Sequence, residues 1–214
     1  MQTVAIAAYL VLVLLHLYAC FSRKQKLRMA TKPILMPMLC VIYVLMAREI
    51  SFLVVFALLL GCIGDCFLMY TERQFCFYSG LAAFGIGHIL YLIRFLMEAK
   101  GVPVWITVLF IVLCVLAIAV TFYRLKPHLK RQLYAPCLGY MAIIAAMCLC
   151  AAMRFVSDVS LHRGLVLAGS LVFVCSDTIL SFQLFRAETT KGNFCVMLTY
   201  ITAQTLITVG LLPA

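Results

Sequence analysis

Apolar runs about as long as a bilayer is thick follow one another along this chain, with only short polar breaks between them. Eight can be drawn, at residues 3–21, 33–47, 50–70, 75–93, 102–123, 133–153, 164–185 and 193–212. A helix of roughly 20 apolar residues spans a hydrocarbon core of about 30 Å, so the sequence predicts an all-α, polytopic membrane helix bundle of about eight transmembrane helices. The composition agrees, at 66% hydrophobic and 11% charged with a mean hydropathy of +1.15. That balance lies far from the soluble one. The second run is short and carries Pro33 and Pro37, so it is expected to start irregularly or kink near its first turn. Gly101-Val102-Pro103 and Lys126-Pro127 mark further breaks. No long linker or low-complexity stretch interrupts residues 1–214, which predicts a single integral-membrane domain. Residues 1–21 lack a basic leading segment and an A-x-A cleavage site, so they are expected to be a retained first span.

A net charge of +10 would suggest nucleic acid in a soluble protein. Here the basic residues sit between apolar runs, where topology and anionic lipid headgroups account for them, and no nucleic-acid partner is expected. The odd-numbered connections hold Arg23, Lys24, Lys26, Arg28, Lys32, Arg73, Arg124, Lys126, Lys130, Arg131, Arg186 and Lys191. The even-numbered ones hold Arg48, Arg94, Lys100, Arg154 and Arg163. Twelve against five puts the odd connections in the cytoplasm and both termini on the other side. Most of the eleven cysteines lie scattered through apolar runs, where cysteine behaves as a small hydrophobe. No CxxC pair accompanies a histidine cluster, so no metal is assigned.

Two acids break this pattern. Residues 52–64 are all apolar or glycine, and Asp65 follows them directly, with another apolar run at 66–70 behind it. Asp177 stands in a similar setting in VFVCSDTILSFQL. The other five acidic residues, Glu49, Glu72, Glu98, Asp158 and Glu188, lie in or beside polar connections. A carboxylate inside a span is costly and faces a partner, a cavity or a task. Asp65 precedes Glu72 by seven residues and Asp177 precedes Arg186 by nine, about 10 and 13 Å along a helix. Both acids are therefore expected in the cytoplasmic half of the membrane.

Further polar groups cluster around comparable positions. Phe84, His88 and Tyr91 share one helix face, as do Tyr200 and Gln204. His88 and Gln204 either orient the acids and substrate or simply hydrogen-bond between helices. Lys32, beside Pro33, is expected at the cytoplasmic mouth of the second span, where snorkelling is the plain alternative. GCIGDCFL at 61–68 is similar to FVCSDTIL at 173–180, which suggests two parallel four-helix repeats. A chance match of a few positions explains it as well. Two carboxyls in one site usually divide the work, one as acid and one ionised.

Together these blocks resemble the YhhN family of integral-membrane proteins, whose animal members are lysoplasmalogenases. The resemblance rests on Thr31-Lys32-Pro33 with Pro37, Gly64-Asp65 with Phe67-Leu68, Gly87-His88 with Tyr91, Ser176-Asp177, and Tyr200 with Ala203-Gln204. It implies hydrolysis of a lysoplasmalogen vinyl ether to a fatty aldehyde and a glycerophospho-ethanolamine or -choline. It also implies Asp65 and Asp177 as the catalytic pair. Acid/base cleavage of a vinyl ether calls for no cofactor or metal. No G-x-S-x-G is present, which disfavours serine chemistry. Lys32, His88, Tyr91, Tyr200 and Gln204 are the expected substrate-binding residues, with Lys32 and the first basic loop meeting the phosphate of a single-chain lysophospholipid. Two intramembrane acids between parallel halves also fit a proton-coupled transporter or lipid carrier.

Overall fold

The computed structural model describes residues 1–213. Eight α-helices account for the apolar runs: α1 (Gln2–Phe21), α2 (Gln25–Met46), α3 (Phe52–Phe67), α4 (Gln74–Leu96), α5 (Val104–Leu125), α6 (Tyr134–Ser157), α7 (Leu161–Phe185) and α8 (Thr190–Gly210). Short 3-10 turns follow α3 and α5 and precede α6, and no strand occurs among the described residues. All eight helices are long and apolar enough to cross a membrane. The chain is thus a multi-pass integral membrane protein, and an even number of crossings brings both termini to one end.

The second helix differs from its expected form. It begins eight residues before Pro33 and runs through both prolines without a break. The basic residues of its first two turns lower the hydropathy without opposing a helix. Pro37 has no N–H to give the carbonyl of Pro33, and the Cys62 thiol of α3 donates to that oxygen instead, at 3.2 Å. The freed acceptor becomes a contact between helices.

Packing is tightest between α3 and α4 and between α7 and α8. A Cβ on Gly169 would lie 2.9 Å from the Ala203 carbonyl and 2.8 Å from Ile207, so glycine lets α7 and α8 approach backbone to backbone. Neighbour relations recur between the halves: α3 on α4 and α7 on α8, α4 on α6 and α8 on α2. Leu35, Leu39, Leu58, Phe95, Met147 and Ile207 fill the shared core. By contrast, α5 buries only Leu125 and leaves most of its apolar surface exposed.

At the end of the bundle carrying the even connections, the Arg154 Nε donates to Glu98 at 2.6 Å, and Arg94 also pairs with Glu98. Arg163 lies 3.4 Å from Asp158 and donates to the Arg154 carbonyl. These pairs tie α4, α6 and α7 together where their ends meet the interface.

Candidate active site

Two glycines open the space around Asp65. Gly61 lets the Tyr200 hydroxyl come within 3.4 Å of where a Cβ would stand, and Gly64 lies under the Phe84 ring, which a Cβ would meet at 2.5 Å. The LLGCIGD sequence therefore gives α8 and α4 close access to the last turn of α3. Asp65 is 2% exposed. Its Oδ1 lies 3.2 Å from the Lys32 ammonium of α2, and its Oδ2 accepts from the Tyr200 hydroxyl at 2.9 Å. The sequence placed Lys32 at the mouth of its span. The earlier start of α2 instead sets it two turns inside the helix, buried and directed at the acid.

Asp177 is buried on α7 and accepts from the Tyr140 hydroxyl of α6 at 2.6 Å. Neighbouring Ser176 points elsewhere and donates to the Val196 carbonyl of α8 at 3.2 Å, helping to fix this stretch of α7. In each half of the chain the acid is met by a group from the preceding helix. That group is a cation for Asp65 and a neutral phenol for Asp177.

Lys32, Asp65, Tyr140, Asp177, Tyr200 and Phe84 line one cavity of about 440 Å³. Gln25, Arg28, Glu72, Arg186, Glu188 and Asn193 line it toward the connections α1–α2, α3–α4 and α7–α8. Its inner walls are aromatic, with the Tyr200 ring edge-on to Phe84 and Phe173 at centroid separations of 6.0 and 5.7 Å.

The remaining expected residues lie behind this wall. Tyr91 donates to Gln204 Oε1 at 3.0 Å, and neither residue lines the cavity. His88 is 2% exposed; its Nδ1 donates to the Phe84 carbonyl and its ring meets Phe173 edge-on at 4.4 Å. A carbonyl only accepts, so this bond puts the ring proton on Nδ1. His88 thus braces Phe84 and Phe173, the two rings that frame Tyr200. The structure brings together Asp65, Asp177, Lys32 and Tyr200, and sets His88, Tyr91 and Gln204 one layer away.

Sequence reasoning missed Tyr140, one of ten tyrosines, with no periodic or motif signal of its own. It also missed His16. That imidazole is fully buried, with Nδ1 2.7 Å from the Thr31 hydroxyl, beside Lys32. Thr31 in turn donates to the Leu27 carbonyl, so the His16–Thr31 pair braces the turn that carries Lys32. Among the described residues no three His, Cys, Asp or Glu side chains converge as metal ligands.

An eight-helix membrane bundle with an acid-lined chamber sunk into one end belongs to the class of polytopic membrane proteins with an intramembrane polar site. Residues 27–211 match the YhhN family, and the chain is a member of it. Curated relatives share its sequence over most of its length. It is 28% identical over 186 residues to lysoplasmalogenase TMEM86B of Rattus norvegicus, covering 82% of this chain and 70% of the relative. It is 31% identical over 160 residues to the Sus scrofa protein of that name, covering 72% and 61%. For the Homo sapiens protein the values are 28% over 161 residues, 73% and 62%. No solved structure matches the chain.

Proposed function

We propose that the protein is a membrane ether hydrolase that cleaves the vinyl-ether bond of lysoplasmalogens by acid/base catalysis with Asp65 and Asp177. The products are a fatty aldehyde and a glycerophospho-ethanolamine or -choline. The observation that carries this reading is the pair of buried carboxyls facing one cavity with unequal partners. Membership of a family whose curated relatives are named lysoplasmalogenase supports the substrate class.

The unequal partners suggest how the roles divide. Asp65 has an ammonium and a phenol donor, which suit it to carry negative charge. Asp177 has a phenol and no cation, and a buried charge without a counterion is expensive. Asp177 is therefore the carboxyl suited to hold a proton, on the oxygen that Tyr140 leaves free. In the reaction that proton passes to the vinyl carbon farther from the ether oxygen, leaving an oxocarbenium ion. Asp65 stabilises the cation and takes a proton from the water that attacks it. The hemiacetal formed then collapses: Asp65 gives its newly gained proton to the glycerol oxygen as that C–O bond breaks, and Asp177 takes the hydroxyl proton as the aldehyde carbonyl forms, so both carboxyls return to their starting states. One water is consumed, and no covalent enzyme intermediate forms. Arg28 and Arg186 near the mouth supply positive charge for the phosphate.

The test is aldehyde release by purified protein in detergent, where a transporter has no compartments to work between. Asp65→Asn and Asp177→Asn preserve shape and should each lower turnover by ~10²–10⁴-fold. The double variant should be little worse than the poorer single if the carboxyls act as a unit. The pH profile should be bell-shaped, with limbs that belong to the pair. Substantial cleavage by a well-folded double variant would falsify the mechanism.

A further inference from the structure

Asp177 and Tyr140 face two spaces of opposite character. On one side lies the polar chamber with Lys32 and Asp65. On the other lies an apolar cleft between α5, α6 and α7, lined by Ala117, Ile118, Ile144, Ala145 and Val174. Of the hydroxyl residues Thr121, Thr178 and Ser181 that line it, two bond within α7, Thr178 donating to the Val174 carbonyl at 2.8 Å and Ser181 to the Asp177 carbonyl at 2.8 Å. One wall of the cleft is α5, the helix that leaves most of its apolar surface exposed. The small side chains of Ala117 and Ala145 form part of its lining.

A substrate of the proposed kind has a charged head on one side of the reacting bond and a hydrocarbon chain on the other. With that bond at Asp177 and the head among the basic residues of the chamber, the chain must leave on the opposite side of Tyr140. We propose that the cleft between α5, α6 and α7 receives the single hydrocarbon chain of the lysophospholipid, and that Tyr140 partitions chain from headgroup. This rests on the hydrolase reading given above. The chain runs past Ala145 and Ala117 and continues along α5 into the bilayer, so the substrate enters and the aldehyde leaves sideways through the membrane. A second apolar space also touches Asp177, between α4, α6 and α7, but Phe77 and Phe185 meet edge-on at 5.9 Å across its rim. That contact lies beside the α3–α4 and α5–α6 connections, and no residue of α5 lines this space.

Two measurements test the assignment. Ala117→Trp and Ala145→Phe are expected to lower kcat/KM for a long-chain lysoplasmalogen roughly tenfold or more relative to a short-chain one with the same headgroup. Leu81→Phe, in the second space, should leave that ratio unchanged. In parallel, an alkyl-ether lysophospholipid with a terminal diazirine, which the enzyme cannot cleave, should label α5 in the intact protein. Ala117→Trp should abolish that labelling. An unchanged chain-length ratio in both cleft variants, or label confined to α4, would overturn the proposal. If the wild type cleaves no vinyl ether but the probe still labels α5, the hydrolase reading fails and the chain site stands.

Discussion

Arg28 and Lys32 stand one turn apart on α2, yet only Lys32 reaches an acid, 3.2 Å from Asp65, while Arg28 lines the cavity toward its mouth. Their roles should separate accordingly. Lys32→Met leaves a buried carboxylate without its cation and should lower kcat about 10²-fold, within the range for acid–base groups. Arg28→Ala removes a contact far from the reacting bond and should raise KM several-fold with kcat kept. Steady-state kinetics on both variants, with unfolding in detergent as a fold control, decide the matter. A Lys32→Met protein that changes only KM would return Lys32 to the headgroup role expected from sequence. The two aspartates could be read in advance because the cost of a carboxylate in lipid makes each one conspicuous. Tyr140 could not, because a tyrosine is at home in an apolar helix and only the fold shows that its hydroxyl meets Asp177. The reach of Lys32 was hidden for another reason: hydropathy ended the second span at Pro33, whereas the backbone continues as helix to Gln25.

Elements were readable where apolar run and helix coincide, as for α1, and less so where charge enters a helix end. The α4–α6 clasp is such a place. Partial burial alone would push the Glu98 carboxyl up, but the Arg154 and Arg94 guanidiniums beside it hold it below the usual range. A carboxyl lowered in this way stabilises the fold above its unfolded value of about 4.3, and that contribution is lost as pH falls through the folded value. Glu98→Gln should therefore cost roughly 1–2 kcal/mol at neutral pH, between the values for exposed and buried pairs. The deficit should shrink below about pH 4 as the native acid protonates. Unfolding midpoints in detergent at the two pH values check this, and an equal deficit at both would assign the loss to packing instead of charge. The clasp lies at the end of the bundle away from the cavity mouth, so catalysis by folded Glu98→Gln should be intact.

For the whole molecule, the two halves share a plan and differ in chemistry. The neighbours of α3 and α4 recur for α7 and α8, and each acid is met from the preceding helix. The short match between GCIGDCFL and FVCSDTIL falls on these corresponding helices, but α1 packs on α8 without a comparable packing of α5 on α4. In the mechanism we propose, the inequality of lysine against tyrosine gives the two acids different roles. Loop charge then orients the site. The cavity is lined toward its mouth by residues at the start of α2 and in the α3–α4 and α7–α8 connections. Together with the α5–α6 connection, these hold twelve of the seventeen lysines and arginines. On the positive-inside rule we expect that end to face the cytoplasm. We therefore expect both termini on the opposite face, with headgroup products released to the cytoplasm and the aldehyde to the bilayer. Protease-cleavable tags at the C-terminus and in the α5–α6 connection, tested in sealed membrane vesicles of known sidedness, measure this directly. The connection tag should be cut only from the cytoplasmic side and the C-terminal tag only after the vesicles are opened to the other. The reverse pattern would turn the cavity to the opposite compartment while leaving the chemistry of Asp65 and Asp177 untouched.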